Sequence, residues 1–159
     1  VIGLRRGPGS FWRGEINSGN WFHVSIPTPA TINDAAVWLT KVYVKYSVGD
    51  GTIVPNGASI TDVQVWEGSN RLLQFGPRPA DQGWFGDHTG ALDSSNTFVL
   101  PNPVLVSSGI GISLRIEFIQ GGEPNVLFTA AGAEFEPYSF NFSVVNWLGS
   151  LWTKVGSSP

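Results

Sequence analysis

Large apolar residues fall on alternate positions through most of the chain, the period of strands with one face in a core and one in water. The clearest run begins at Ile112. Ile112, Leu114, Ile116 and Phe118 lie on one side, Ser113, Arg115 and Glu117 on the other. Four such residues on one face require an opposing layer, so this strand predicts a sheet packed on a second layer. The same period places Phe22, Val24 and Ile26 on one face of an earlier strand and Trp21, His23 and Ser25 on the other. It also runs through 37–48, with Val42, Val44, Tyr46 and Val48 inward. Residues 60–66 and 71–75 flank Glu67-Gly68-Ser69-Asn70 and predict a hairpin. A strand starts at Thr97 and is expected to break at Pro101-Asn102-Pro103, and 126–135 reads as the last core strand. About eight strands with Gly/Pro turns, and no helical period before residue 137, predict an all-β fold: an antiparallel, jelly-roll-like β-sandwich with extended N- and C-terminal arms.

The pattern divides the chain into an N-terminal arm at 1–14, a sandwich at 15–136 and an aromatic C-terminal arm at 137–159. Gly3, Gly7, Pro8, Gly9 and Gly14 exclude a helix from the first arm, where Phe11 and Trp12 are expected to dock on a surface. The last arm begins with Tyr138, Phe140 and Phe142 at strand spacing. Val144, Leu148, Leu151, Trp152 and Val155 then share one side of a helix. Residues 76–95 form the longest irregular stretch and carry Trp84 and Phe85.

Composition adds a constraint on solubility. Charged residues are only 13% of the chain, and the net charge of −3 is unevenly laid out. The first arm carries +3, the body −7 and the last arm +1. Basic arms on an acidic body favour contact between copies and argue against nucleic acid as a partner. There is no cysteine, and hence no disulfide or thiolate chemistry. The absence of Met at position 1 reads as processing, compatible with a removed signal peptide and an extracellular or cell-surface location. No apolar run is long enough to span a bilayer as a helix, though the C-terminal arm could touch a membrane surface.

Several stretches resemble an uncharacterised family of small microbial proteins: Asn20-Trp21-Phe22-His23, Ile26-Pro27-Thr28-Pro29, residues 63–68, residues 109–113 and Ala131-Gly132-Ala133-Glu134-Phe135. The resemblance spans roughly residues 20–136. It implies a stand-alone β-sandwich with no established activity and transfers no catalytic residue.

Candidate chemistry is sparse. His23 and His88 are the only histidines, and no Gly-x-Ser-x-Gly elbow accompanies them. His23 reads as a packed or hydrogen-bonded surface histidine. Asp81, Asp87, His88 and Asp93 offer oxygen ligands, but their spacing matches no calcium loop, and zinc lacks ligands. No metal, cofactor or catalytic residue is therefore assigned. Two non-enzymatic readings remain, and the arms, the low charge and the charge layout favour the first over the second. The first is a structural protein that self-associates into oligomers or filaments through Arg5, Arg6, Phe11, Trp12, Tyr138, Phe140, Phe142, Trp147, Leu151 and Trp152. The second is a lectin-like sandwich that binds a glycan or small ligand through Trp66, Trp84, Phe85, Asp87 and His88, with Trp21 as a further stacking platform.

Overall fold

The computed structural model describes residues 2–6, 9–32, 34–48, 57–119 and 124–138. Among them are ten strands: β1 (Ile2–Arg6), β2 (Gly9–Arg13), β3 (Ser18–Ile26), β4 (Val37–Val48), β5 (Ala58–Glu67), β6 (Asn70–Phe75), β7 (Gly86–Asp87), β8 (Thr97–Val106), β9 (Ile110–Phe118) and β10 (Asn125–Pro137). They form two antiparallel sheets packed face to face. One has the order β1-β2-β10-β4-β7, with β8 also on β4; the other has the order β3-β9-β5-β6. With β1 and the short β7 set aside, the remaining eight strands form the sheets β2-β10-β4-β8 and β3-β9-β5-β6, and the chain changes sheet at every connection but the β5–β6 hairpin, which is jelly-roll connectivity.

The core is the set of inward positions that the alternation marks. Ile110, Ile112, Leu114, Ile116 and Phe118 of β9 share one core with Val42, Val44, Tyr46 and Val48 of β4, and all of these are buried. Arg115 is exposed and salt-bridged to Glu117 at 2.7 Å. Ser113, an outward position expected to be wet, is instead buried at 6% exposure. Tyr46 is wholly buried and donates its hydroxyl to the Ser95 carbonyl at 2.9 Å. Burial, with Asp93 adding, pushes its phenol far above the usual range.

The N-terminal arm is extended, as its glycines and proline require, and lies as a hairpin along the body. β1 pairs with β2, and β2 pairs with β10 from Ser10↔Phe128 to Arg13↔Asn125. Trp12 packs edge-on to Phe22, with ring centroids 5.4 Å apart. The chain then crosses to the other sheet at Gly14, where a Cβ would sit 2.2 Å from the Phe118 ring. Only glycine fits that corner.

β8 departs from expectation. Pro101-Asn102-Pro103 does not end the strand but bulges it. Leu39 pairs with Val104 and Lys41 with Val99, so Thr40 stands opposite the whole stretch from Leu100 to Pro103. The prolines sit in the bulge, where no ladder donor is required of them.

The 76–95 stretch is irregular but fastened. Arg78 N–H donates to the Thr61 carbonyl at 2.8 Å, Trp84 bridges Ile60, and β7 pairs with the end of β4. Asn96, fully buried, donates to the carbonyls of His88 and Ala91 and accepts from Asp93 N–H. The Asp87 and Asp93 carboxylates accept from the backbone N–H groups of Thr89 and Ser95.

Leu114 lies between Phe22 and Val63 in the ladder and has no exposed surface. Leu114→Ala should lower unfolding free energy by about 2–5 kcal/mol in a denaturant titration. Arg115→Ala, on the wet face, should change it by less than about 1 kcal/mol.

Candidate functional site

Strand register decides which outward side chains meet. Across the outer face of the β3-β9-β5-β6 sheet, Ser25, Gly111, Trp66 and Arg71 form one row. His23, Ser113, Gln64 and Gln74 form the next, and Trp21, Arg115 and Asp62 the third. The β3, β9 and β5 members of the first two rows, with Trp21 and the Gly68-Ser69 turn, enclose a groove of about 640 Å³. Trp21 and His23 of β3 make one wall, Trp66 of β5 the other, and Gly111 and Ser113 of β9 the floor. The walls stand two strand spacings apart, about 9–10 Å.

Each part has a local cause. Trp21 and His23, two residues apart on one face, stack at 6.5 Å with their planes 10° apart. His23 Nδ1 and Ser113 Oγ share a hydrogen bond of 2.8 Å, which explains why Ser113 is covered. Gly111 leaves the floor open: a Cβ there would meet nothing nearer than the Val24 carbonyl at 3.8 Å. The Arg71 guanidinium lies 5.9 Å from the centroid of the Trp66 ring, and Trp66 Nε1 is buried without a partner. Beside the groove, Asp62 is buried at 3% exposure and accepts from the amides of Gln64 and Gln74, while its Oδ1 has no partner.

The end of the groove is clamped by Glu67. Its carboxylate accepts from Ser107 N–H, Ser107 Oγ and Ser108 N–H at 2.5–3.0 Å, tying the β5–β6 hairpin to the β8–β9 loop. The hairpin turns on Gly68 at φ 54, and Gly68 N–H donates to the Gly109 carbonyl at 3.0 Å.

The ligand residues marked by the sequence are not brought together. Trp66 lines the groove. Trp84 joins β5 at Ile60, six residues away or about 20 Å along the strand, and its ring packs on Phe98 in the interior. Its other contact is the Arg78 guanidinium, 3.8 Å from the ring centroid. His88 is half-buried, packs tilted against Tyr46 with ring centroids 5.1 Å apart, and bonds the Phe85 carbonyl through Nε2 at 3.0 Å. Asp87 caps Thr89, whose hydroxyl and N–H hold its carboxyl below the usual range. Among the described residues no cluster of three or more His, Asp or Glu side chains could hold a metal ion.

Of the self-association residues, Trp12 packs against the core and Phe11 is half-buried, while of Arg5 and Arg6 only the backbone, paired with β2, is described. Tyr138 is 38% exposed, stacks near Trp38 at 5.6 Å and donates its N–H to the Ala36 carbonyl. Phe140, Phe142, Trp147, Leu151 and Trp152 lie outside the described residues.

Sequence reasoning marked Trp21 and Trp66 as platforms but missed Ser25, Gln64, Gly111 and Ser113. Their outward phase is legible; their adjacency across three strands depends on register, which alternation alone does not supply.

The Glu67 clamp generates a pH dependence. Chiefly the Ser107 N–H, with the other two donors, holds its carboxyl below the usual range in the fold. A depressed folded value gives stability that is present above the unfolded value of about 4.3 and lost as pH falls through the folded one. Glu67→Gln should therefore melt below wild type at pH 7, and the gap should close below about pH 4 in thermal unfolding.

No protein-family model matches the chain, and no curated protein or solved structure matches it either.

Proposed function

We propose that the protein is a non-enzymatic binding module that receives a saccharide in the groove on the outer face of the four-stranded sheet. The observation that carries this reading is the lining itself. Two tryptophans and a histidine wall the groove, and Ser25, Gln64 and Ser113 supply uncharged hydrogen-bonding groups. No lining residue is acidic or basic apart from His23. A pyranose ring has an apolar face that stacks on indole and a rim of hydroxyls that need neutral donors and acceptors. The strands that carry the aromatic walls are about 9–10 Å apart, and the groove between them has the volume for a sugar ring. The unpartnered Trp66 Nε1 favours a ligand oxygen as well. A buried donor without an acceptor costs about 1–3 kcal/mol, which a small turn of the indole toward a bound hydroxyl would recover.

Hydrolysis is the reading that the His23–Ser113 hydrogen bond invites. Among the described residues, however, no carboxylate is bonded to His23 to orient it as a base. Assembly through the terminal arms is less favoured for a similar reason of placement. Trp12 is committed to the chain's own core, and the β2 backbone to β10.

A glycan array followed by calorimetric titration tests the proposal. Trp66→Ala and Trp21→Ala should each weaken binding at least about tenfold, or about 1.4 kcal/mol, with an unchanged circular dichroism spectrum. Gly111→Val should fold, because a Cβ there makes only an ordinary contact with the Val24 carbonyl, yet abolish binding by filling the floor. Silence across the array, or binding indifferent to Gly111→Val, would sink the proposal.

A further inference from the structure

β3 differs from every other sheet edge in what it lacks. Proteins guard free edges with charge, proline, bulges or short strands, because unpaired N–H and C=O groups template a further strand. β1 carries Arg5 and Arg6. β8 carries Pro101 and Pro103 in a bulge. β6 is short, carries Arg71 and is bulged where it meets Val65 and Trp66. β3 is nine residues long, holds unbroken register with β9 from Ser18 to Ile26, and has no charged residue and no proline. Among the described residues no strand pairs with its other side.

One hydrogen bond shows which backbone groups face outward. Trp21 N–H donates to the side chain of the neighbouring Asn20 at 3.1 Å instead of joining the β9 ladder. By the alternation of an antiparallel strand, Gly19, Trp21, His23 and Ser25 then present their N–H and C=O groups to the free edge.

That edge is complementary to itself. Antiparallel pairing about a two-fold axis at Phe22 sets Trp21 opposite His23 of a second copy and Gly19 opposite Ser25. All four are residues whose backbone groups face outward. The arrangement closes about eight hydrogen bonds. It also extends the Trp21–His23 stack across the axis, since outward residues meet outward residues when the self-paired position is Phe22. Any shift of one residue would oppose the core face to the wet face.

We propose that β3 is the pairing edge of a symmetric dimer, in which two copies join their four-stranded sheets into one continuous sheet. The dimer carries the two grooves on the same face, with their floors on β9 three strand spacings apart, about 14 Å. A ligand chain of several rings would then meet both, so the dimer adds bivalence to the proposed saccharide site without being required by it.

Sedimentation equilibrium of the full chain at about 1 mM should give twice the monomer mass of 17.1 kDa. Trp21→Lys/His23→Lys should be monomeric, because four ammonium groups would line the axis, and Trp21→Glu/His23→Glu should be monomeric for the same reason. An equimolar mixture of the two should recover the dimer, since each lysine then faces a glutamate. The chain has no cysteine, so Gly19→Cys/Ser25→Cys provides a second measurement that leaves the tryptophan wall intact. On oxidation it should give a disulfide-linked dimer on a denaturing gel, and neither single variant should do so. A monomeric wild type at this concentration overturns the proposal. So does a dimer that survives the lysine variant, or one that fails to cross-link between positions 19 and 25. Loss of saccharide binding in Trp66→Ala, with the dimer mass unchanged, would bear on the groove alone.

Discussion

The inner face of β9 is the constraint on which the rest depends. It lies between β3 and β5 in the smaller sheet, and Ile110, Ile112, Leu114, Ile116 and Phe118 have at most 2% of their surface exposed. β4 buries six inward side chains as completely, but its run is interrupted by the irregularity at Thr40, whereas that of β9 is unbroken. Burial of each is worth about 1.5–3 kcal/mol, so the strand cannot slip by one residue without exposing all five. Once β9 is fixed, its outward residues are fixed as well. Gly111 and Ser113 become the floor of the groove because Ile110, Ile112 and Leu114 are the roof of the core.

The fold was legible because this constraint is written as an alternation. β3, β4, β5, β9 and β10 all show it, and the Glu67–Asn70 turn announces its hairpin. Less legible were features that depend on partners distant in sequence. Pro101 and Pro103 read locally as a strand break, yet β8 accommodates them by bulging opposite Thr40 of β4. Ser113 reads as solvent-exposed, yet His23, ninety residues earlier, covers it. Residues 76–95 read as an open aromatic loop, but Trp84 turns inward to Phe98 and Asn96 holds the segment closed. In each case the sequence specifies the residue's intrinsic preference, and the neighbour that overrides it is chosen by topology.

The same logic separates the tryptophans. Seven in one chain offer many accidental pairings, and their roles follow from face and not from proximity in sequence. Trp12 and Trp84 are on inward phases and fill the gap where the two sheets part, against Phe22 and Phe98 respectively. Trp21 and Trp66 are on outward phases of strands that flank β9. Their walls converge only because the floor between them is glycine and serine. A larger residue at position 111 would have filled the space that the walls define.

A sandwich has two outer faces and, unless it closes, exposed edges. In this chain the two liabilities coincide, because β3 supplies both one wall of the groove and the least guarded edge. The chemistry of a guard explains why. A lysine or glutamate among the outward residues of β3 would stand in the groove wall, where it would bring a charge and its hydration shell into an aromatic, uncharged slot. A proline would remove a backbone N–H and distort the phase that stacks Trp21 on His23. The usual protections of an edge strand are therefore in conflict with the surface that β3 builds. A strand that cannot be protected by its own side chains is protected most simply by a partner that hides its edge and leaves its face open. A second β3, paired about Phe22, meets that condition.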